Sequence, residues 1–264
     1  MDTAFEALRA AGRKGLIAYI TGGDPSPEAT AGLVRALAEG GADVVEVGIP
    51  FSDPLADGPT IQKASERALA AGTTPALVLE AVRSVRSRSQ VPIALLTYFN
   101  PVFHYGKGRF MSEAAGAGVD GLMIPDLPME ESEKVRFAAE EQGLALIYLV
   151  APTSPADRIR RIAARTRGFL YCVSLTGVTG VRRDLPPELA EFLGRVRMET
   201  DKPVAVGFGI STPEQVRGVA PHCDAVIVGS AIVDRAARAA GEGRDPAAAV
   251  YDFVRELRAA LDEV

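Results

Sequence analysis

What most constrains this chain is a recurring pattern, not a repeated motif. Apolar runs of strand length recur eight times, at residues 16–20, 44–47, 93–98, 121–124, 144–150, 169–173, 204–208 and 225–228. Alanine-rich segments with helical periodicity lie between them. In residues 28–39, for example, Leu33, Val34, Leu37 and Ala38 fall on one stripe. Strands that are apolar throughout belong to parallel sheets covered on both faces. Eight strand–helix alternations in 264 residues fit a (β/α)8 barrel. The rival is a doubly wound open sheet, but no GxGxxG follows the first strand. Residues 2–11 are expected to form an extra N-terminal helix that caps the bottom of the barrel. Residues 246–263 are expected to form the last outer helix, with Val250, Phe253, Val254, Leu257 and Leu261 inward. No linker or break in composition divides the chain, so the expectation is one barrel domain over 1–264.

Local signals agree with this layout. Ser26-Pro27-Glu28, Ser154-Pro155 and Thr212-Pro213-Glu214 each place a cap residue before a proline at a helix start. Gly40-Gly41, Gly72 and Gly143 follow helical runs as stop signals.

Composition excludes several functions. A net charge of −5 with no basic run argues against nucleic-acid binding. No apolar stretch reaches the length of a membrane span, and the first residues lack a signal-peptide core, so a cytoplasmic protein is expected. Cys172 and Cys223 have no metal-ligand spacing and read as reduced thiols. With only His104 and His222 present, neither a histidine-based metal site nor a histidine triad is expected.

Chemistry concentrates in residues 44–60, VVEVGIPFSDPLADGPT. Glu46 sits among valines where a buried strand should run, and an acid there is costly without a task or partner. Asp57 follows in a loop rich in glycine and proline. Val44, Glu46 and Gly48 share one side of the strand. Facing outward, Glu46 would need a basic partner in the helix layer; facing inward, it would point to where barrel active sites lie. Asp57 has two readings as well, a turn-former or the second acid of a two-carboxylate site. Glycines cluster at late strand ends, in 174–180, 207–211 and 229–231. They suit a phosphate held by backbone N–H groups and a helix N-terminus. Residues 174–187, with Arg182 and Arg183, read either as a surface loop or as a lid. Tyr171 reads either as core or as part of the site.

These motifs together resemble the tryptophan synthase α-subunit family over essentially the whole length. The resemblance rests on LIAYITGGDP (16–25), VEVGIPFSDPLADGPTIQ (45–62), GVDGLMIPDLPMEE (118–131), GVTG (177–180), VGFGIST (206–212) and VGSAIV (228–233). It implies a (β/α)8 barrel lyase that cleaves indole-3-glycerol phosphate to indole and glyceraldehyde 3-phosphate. It implies no cofactor in this chain, and a pyridoxal-phosphate β subunit that receives indole in an α2β2 assembly. By the same resemblance Glu46 is the general acid and base, with a raised pKa. Asp57 stays ionised near the indole N–H, Thr179 hydrogen-bonds Asp57, and Tyr171 lies near both acids. Gly180, Gly209, Gly229 and Ser230 match the phosphate site; Tyr19, Ile61, Leu96 and Met123 match the indole slot. Loops at 50–53 and 100–106 are expected to face the β subunit through Phe51 and Phe103. At this stage two other readings stay open, a phosphate-sensing regulatory subunit and a phosphosugar isomerase on the same fold.

Overall fold

The apolar runs form parallel strands, and each strand sorts its side chains by parity. The computed structural model describes residues 1–173, 187–207 and 209–264. Nine strand segments make one sheet: β1 Gly15–Thr21, β2 Val44–Gly48, β3 Ile93–Leu96, β4 Gly121–Met123, β5 Ala145–Ile147, β6 Leu149–Val150, β7 Leu170–Val173, β8 Val204–Gly207 and β9 Ala225–Val228. Their order is β5-β4-β3-β2-β1-β9-β8-β7-β6, with every pair parallel. The two ends of that order, β5 and β6, flank Tyr148 and are consecutive in the chain. The Tyr171 amide donates to the Tyr148 carbonyl at 3.1 Å, so hydrogen bonding continues past the gap and the sheet closes on itself. The result is the expected (β/α)8 barrel with its fifth strand interrupted at one residue. Parity survives the interruption. Leu146, Tyr148 and Val150 belong to the outer core, while Ile147 and Leu149 pack with the inner one.

The inner core includes Ile17, Val44, Ala94, Met123, Ile147, Ala205, Ala225 and Ile227. Helix Asp2–Ala10 adds Phe5 and Leu8 to it, with the Phe5 ring 5.3 Å from that of Phe169. The N-terminal helix thus plugs the bottom as expected. The outer core fills the space between sheet and helices, and helix Pro246–Asp262 buries Val250, Phe253, Val254, Leu257 and Leu261 there.

One device on the bottom rim recurs three times. Asp43, Asp120 and Asp224 each stand just before a strand, and each accepts an amide at the start of a neighbouring strand, its first or second. The donors are Leu16 at 2.8 Å, Ile93 at 2.8 Å and Val204 at 2.7 Å. Each carboxylate also meets an arginine from the helix layer: Arg258 at 3.0 Å, Arg86 at 2.6 Å and Arg197 at 2.6 Å. An N–H at the start of a strand would otherwise be left without an acceptor at the closed end of the barrel. The carboxylate supplies one, and the arginine offsets its charge.

Local expectations met mixed outcomes. Gly41, Gly72 and Gly143 follow helices at φ 108°, 80° and 74°, a region open to glycine. Thr212 caps its helix by accepting the Gln215 amide. Ser154 does not cap; its Oγ accepts the Ala151 amide in a turn, and Pro155 precedes the helix Ala156–Arg165. Ser26 does not cap with its side chain either, since Glu28 precedes the helix Ala29–Glu39. The third apolar run stops as a strand at Leu96, and Phe99–Tyr105 is a helix where a loop was expected.

Asp43→Ala removes the acceptor of the Leu16 amide and one of the two carboxylate partners of Arg258, which is 8% exposed. An expected loss of about 3 kcal/mol should lower the thermal midpoint by several degrees. Thermal unfolding monitored by circular dichroism checks this, and an unchanged midpoint would remove the rim carboxylates from the stability account.

Candidate active site

Strand parity decides where Glu46 points. On β2, Val45 and Val47 pack in the outer core and Val44 in the inner one, so Glu46 faces the barrel interior. It is 1% exposed, and its Oε1 is buried without a hydrogen-bond partner. Burial pushes its carboxyl up from the ordinary 4.5 to about 8. The arginine partner that an outward glutamate would need is absent among the described residues.

A cavity of about 350 Å³ opens at the C-terminal end of the strands and is lined by Glu46. Asp57 lines it from the loop between β2 and helix Pro59–Ala70. That loop is held at two adjacent residues beside the helix. The Ala56 amide donates to the Tyr98 hydroxyl at 2.9 Å, and the Gln62 side-chain amide donates to the Asp57 carbonyl at 2.8 Å. Farther along the helix, Arg67 grips Asp24, in the loop after β1, with two bonds of 2.7 and 2.9 Å. Asp24 is 3% exposed, so this ion pair ties the helix to the barrel mouth.

Asp57 is less solvated than expected of a loop acid. Burial raises its pKa, and a hydrogen bond from the Tyr98 hydroxyl opposes the rise by favouring the charged form. Tyr98 was read from the sequence only as part of a strand, yet it holds both Ala56 and Asp57. Its ring also stacks on Phe51 at 5.4 Å. Phe51 thus packs against its own loop support, while Phe103 is 57% exposed.

Two other tyrosines enter the cavity across glycines. A Cβ on Gly48 would lie 2.1 Å from the Tyr19 hydroxyl, and one on Gly207 would lie 2.5 Å from the Tyr171 hydroxyl. Both phenols are pushed up, first by burial and also by the charges of Glu46 and Asp57. Ile61, Leu96 and Met123 supply apolar wall. On the opposite side Gly209, at φ 67°, and Gly229 and Ser230 line the same cavity. Gly229 precedes the helix Ser230–Gly241, whose first two N–H groups, those of Ser230 and Ala231, precede the first intrahelical bond and favour an anion.

Glu46, Asp57, Tyr171, Gly209, Gly229, Ser230, Tyr19, Ile61, Leu96 and Met123 therefore share one cavity. Thr179, Gly180 and the segment 174–186 lie outside the described residues. Among the described residues no cluster of three His, Cys, Asp or Glu could hold a metal ion. Nor is any described helix long and apolar enough to cross a membrane.

Comparison with known proteins matches this geometry to a family. The family model described as tryptophan synthase alpha chain matches residues 5–262. The tryptophan synthase alpha chain of Geobacter sulfurreducens is 50% identical over 259 residues, covering 97% of this chain and 97% of the relative. A crystal structure of the tryptophan synthase alpha chain from Legionella pneumophila is similar with a TM-score of 0.92 at 40% identity, covering 100% of this chain and 97% of that one. A structure of the tryptophan synthase a2b2 complex from the hyperthermophile Pyrococcus furiosus contains a chain with a TM-score of 0.86 at 38% identity, covering 93% of this chain and 98% of that one. With a family model spanning nearly its full length, this chain belongs to the tryptophan synthase alpha chain family.

Proposed function

We propose that Glu46 and Asp57 divide between them the cleavage of indole-3-glycerol phosphate into indole and glyceraldehyde 3-phosphate. The chain is a carbon–carbon lyase of this family, which sets aside the isomerase and sensor readings. The observation that carries the assignment is the unpartnered, buried carboxyl of Glu46 inside the cavity.

The chemistry asks for two unlike acids. Indole C3 must be protonated before its bond to C3′ can break, since only then does the ring become an electron sink. Glu46, with its pKa raised to about 8, keeps its proton at neutral pH and supplies it. The C3–C3′ electron pair then restores the aromatic ring, and the C3′ hydroxyl becomes the aldehyde. The hydroxyl proton returns to the Glu46 carboxylate, which ends as it began. Positive charge develops on the ring nitrogen between these steps. Asp57 in its ionised form, which the Tyr98 hydrogen bond favours against the upward pull of burial, stabilises that charge.

Substrate placement follows the walls. Ile61, Leu96 and Met123, with Tyr171 over Gly207, flank the ring. Gly209, Gly229 and Ser230 take the phosphate at the start of helix Ser230–Gly241. The roles given to Thr179, as hydrogen-bond partner of Asp57, and to Gly180, as part of the phosphate site, rest on the motif at 177–180 alone. No step assigned to this chain calls on a cofactor. We further infer a cytoplasmic enzyme that docks with a pyridoxal-phosphate β subunit in an α2β2 assembly and passes indole to it. The relative from Pyrococcus furiosus, which was solved in an a2b2 complex, supports the docking. The barrel mouth is the face that product must leave by. Leu55, 85% exposed, and Phe103, 57% exposed, offer apolar contact there.

Glu46→Gln should lower indole release by about 10²- to 10⁴-fold, and Asp57→Asn by about 10²- to 10³-fold. Both variants should still bind the deoxy analogue indole-3-propanol phosphate within a few-fold of the parent. Turnover and calorimetry on the purified chain check this; near-normal turnover in either variant removes that residue from the mechanism. Phe103→Glu should weaken β-subunit binding by about tenfold or more without lowering the thermal midpoint. Unchanged affinity in a titration with the β subunit would move the docking face elsewhere.

A further inference from the structure

Tyr19 does more than line a wall. It stands on β1, between the strand that carries Glu46 and the strand that ends just before Gly229. In the β1–β2 pairing Tyr19 is the direct partner of Glu46, and both face inward. The ring lies across the top of its own strand. Its base is against Gly229, where an added Cβ would sit 3.4 Å from Cδ1, and its hydroxyl is over Gly48 on β2. Tyr19 thus spans the interval from the acid to the phosphate site. In the substrate that interval is the three-carbon chain, which carries two hydroxyls.

The pair of hydroxyls that Tyr19 forms with Thr21 is also left with a hydrogen bond to give. Tyr19 and Thr21 are 4% and 1% exposed, and their hydroxyls meet at 3.3 Å. Two hydroxyls bring two donors, and their mutual bond uses one. No other hydrogen bond of either hydroxyl occurs among the described residues. Buried donors in native sites find acceptors. The described residues contribute none here, while the adjoining cavity does have room for one. Gly48 makes the placement possible, since any side chain at that position would occupy the space of the hydroxyl.

We propose that the Tyr19 hydroxyl, steadied by Thr21 over Gly48, hydrogen-bonds a hydroxyl of the glycerol chain and so selects hydroxylated over deoxygenated chains. This rests on the reading of the cavity as the indole-3-glycerol phosphate site and assigns a specificity-determining contact within it. The contact is present in ground state and transition state alike, so it acts on binding more than on the chemical step.

The test crosses one protein hydroxyl with the ligand hydroxyls. Tyr19→Phe keeps the ring and removes only the oxygen. It should raise KM for indole-3-glycerol phosphate by about five- to tenfold, the worth of one hydrogen bond, with kcat changed less than twofold. The inhibition constant of indole-3-propanol phosphate, which has the ring and phosphate but neither chain hydroxyl, should change less than twofold. Thr21→Val, which keeps the Tyr19 oxygen but frees it to turn, should shift KM in the same direction by less. If KM and the inhibition constant rise together, or if neither moves, the contact does not exist. If the parent chain neither releases indole nor binds the analogue, the fault lies with the reading of the cavity itself.

Discussion

A carboxyl group that faces the interior of a closed parallel barrel is shut off from bulk water and, among the described residues, has no arginine, and the rest of this site is arranged around that constraint. Parity on β2 leaves Glu46 no choice of side once Val45 and Val47 join the outer core. The barrel then holds a neutral acid at the bottom of its cavity at neutral pH, and this has a cost. Below the ordinary 4.5 Glu46 is protonated in folded and unfolded chains alike, so it adds no pH dependence. Between 4.5 and about 8 the unfolded chain releases a proton that the folded chain retains. Stability therefore falls as pH rises through that window, by up to about 1.4 kcal/mol per pH unit from this one group. A structural role alone would not maintain such a group, because an apolar residue would fill the position without penalty.

The two ends of the barrel solve opposite problems. At the bottom, Asp43, Asp120 and Asp224 have amide donors and arginines around them. At the mouth, Glu46 has an unpartnered oxygen, and the Tyr19–Thr21 pair has a donor to spare. Polar groups saturated by protein hold the fold; polar groups left unsaturated in a cavity await a ligand. Asp57 lies between these cases, half-buried and answered by Tyr98.

Much of this was legible in the sequence, for reasons particular residues make plain. Apolar runs with no polar alternation could only be parallel strands, and valine on both sides of Glu46 marked it as buried. Ile61, Leu96, Met123 and Tyr19 were located by family motif and do share the cavity. Tyr98 was missed because it closes an apolar run that looks like strand to its end. The chain leaves the sheet at Leu96, which turns Tyr98 toward the Asp57 loop. Residues 100–106 were placed in the loop after the third strand; the structure makes Phe99–Tyr105 a helix, with Pro101 tolerated in its first turn. The rim aspartates escaped notice because each bonds a residue 20 to 27 positions away, which no local pattern reveals.

The central claim concerns the protonation of one side chain, and it can be read directly. Carboxyl carbon NMR of the glutamate-labelled chain, with Glu46→Gln used to assign the signal, follows that group as pH is raised. The account predicts a Glu46 signal that holds its protonated shift through neutral pH and titrates near 8. A signal that titrates near the ordinary 4.5 would show a solvated carboxylate and contradict it.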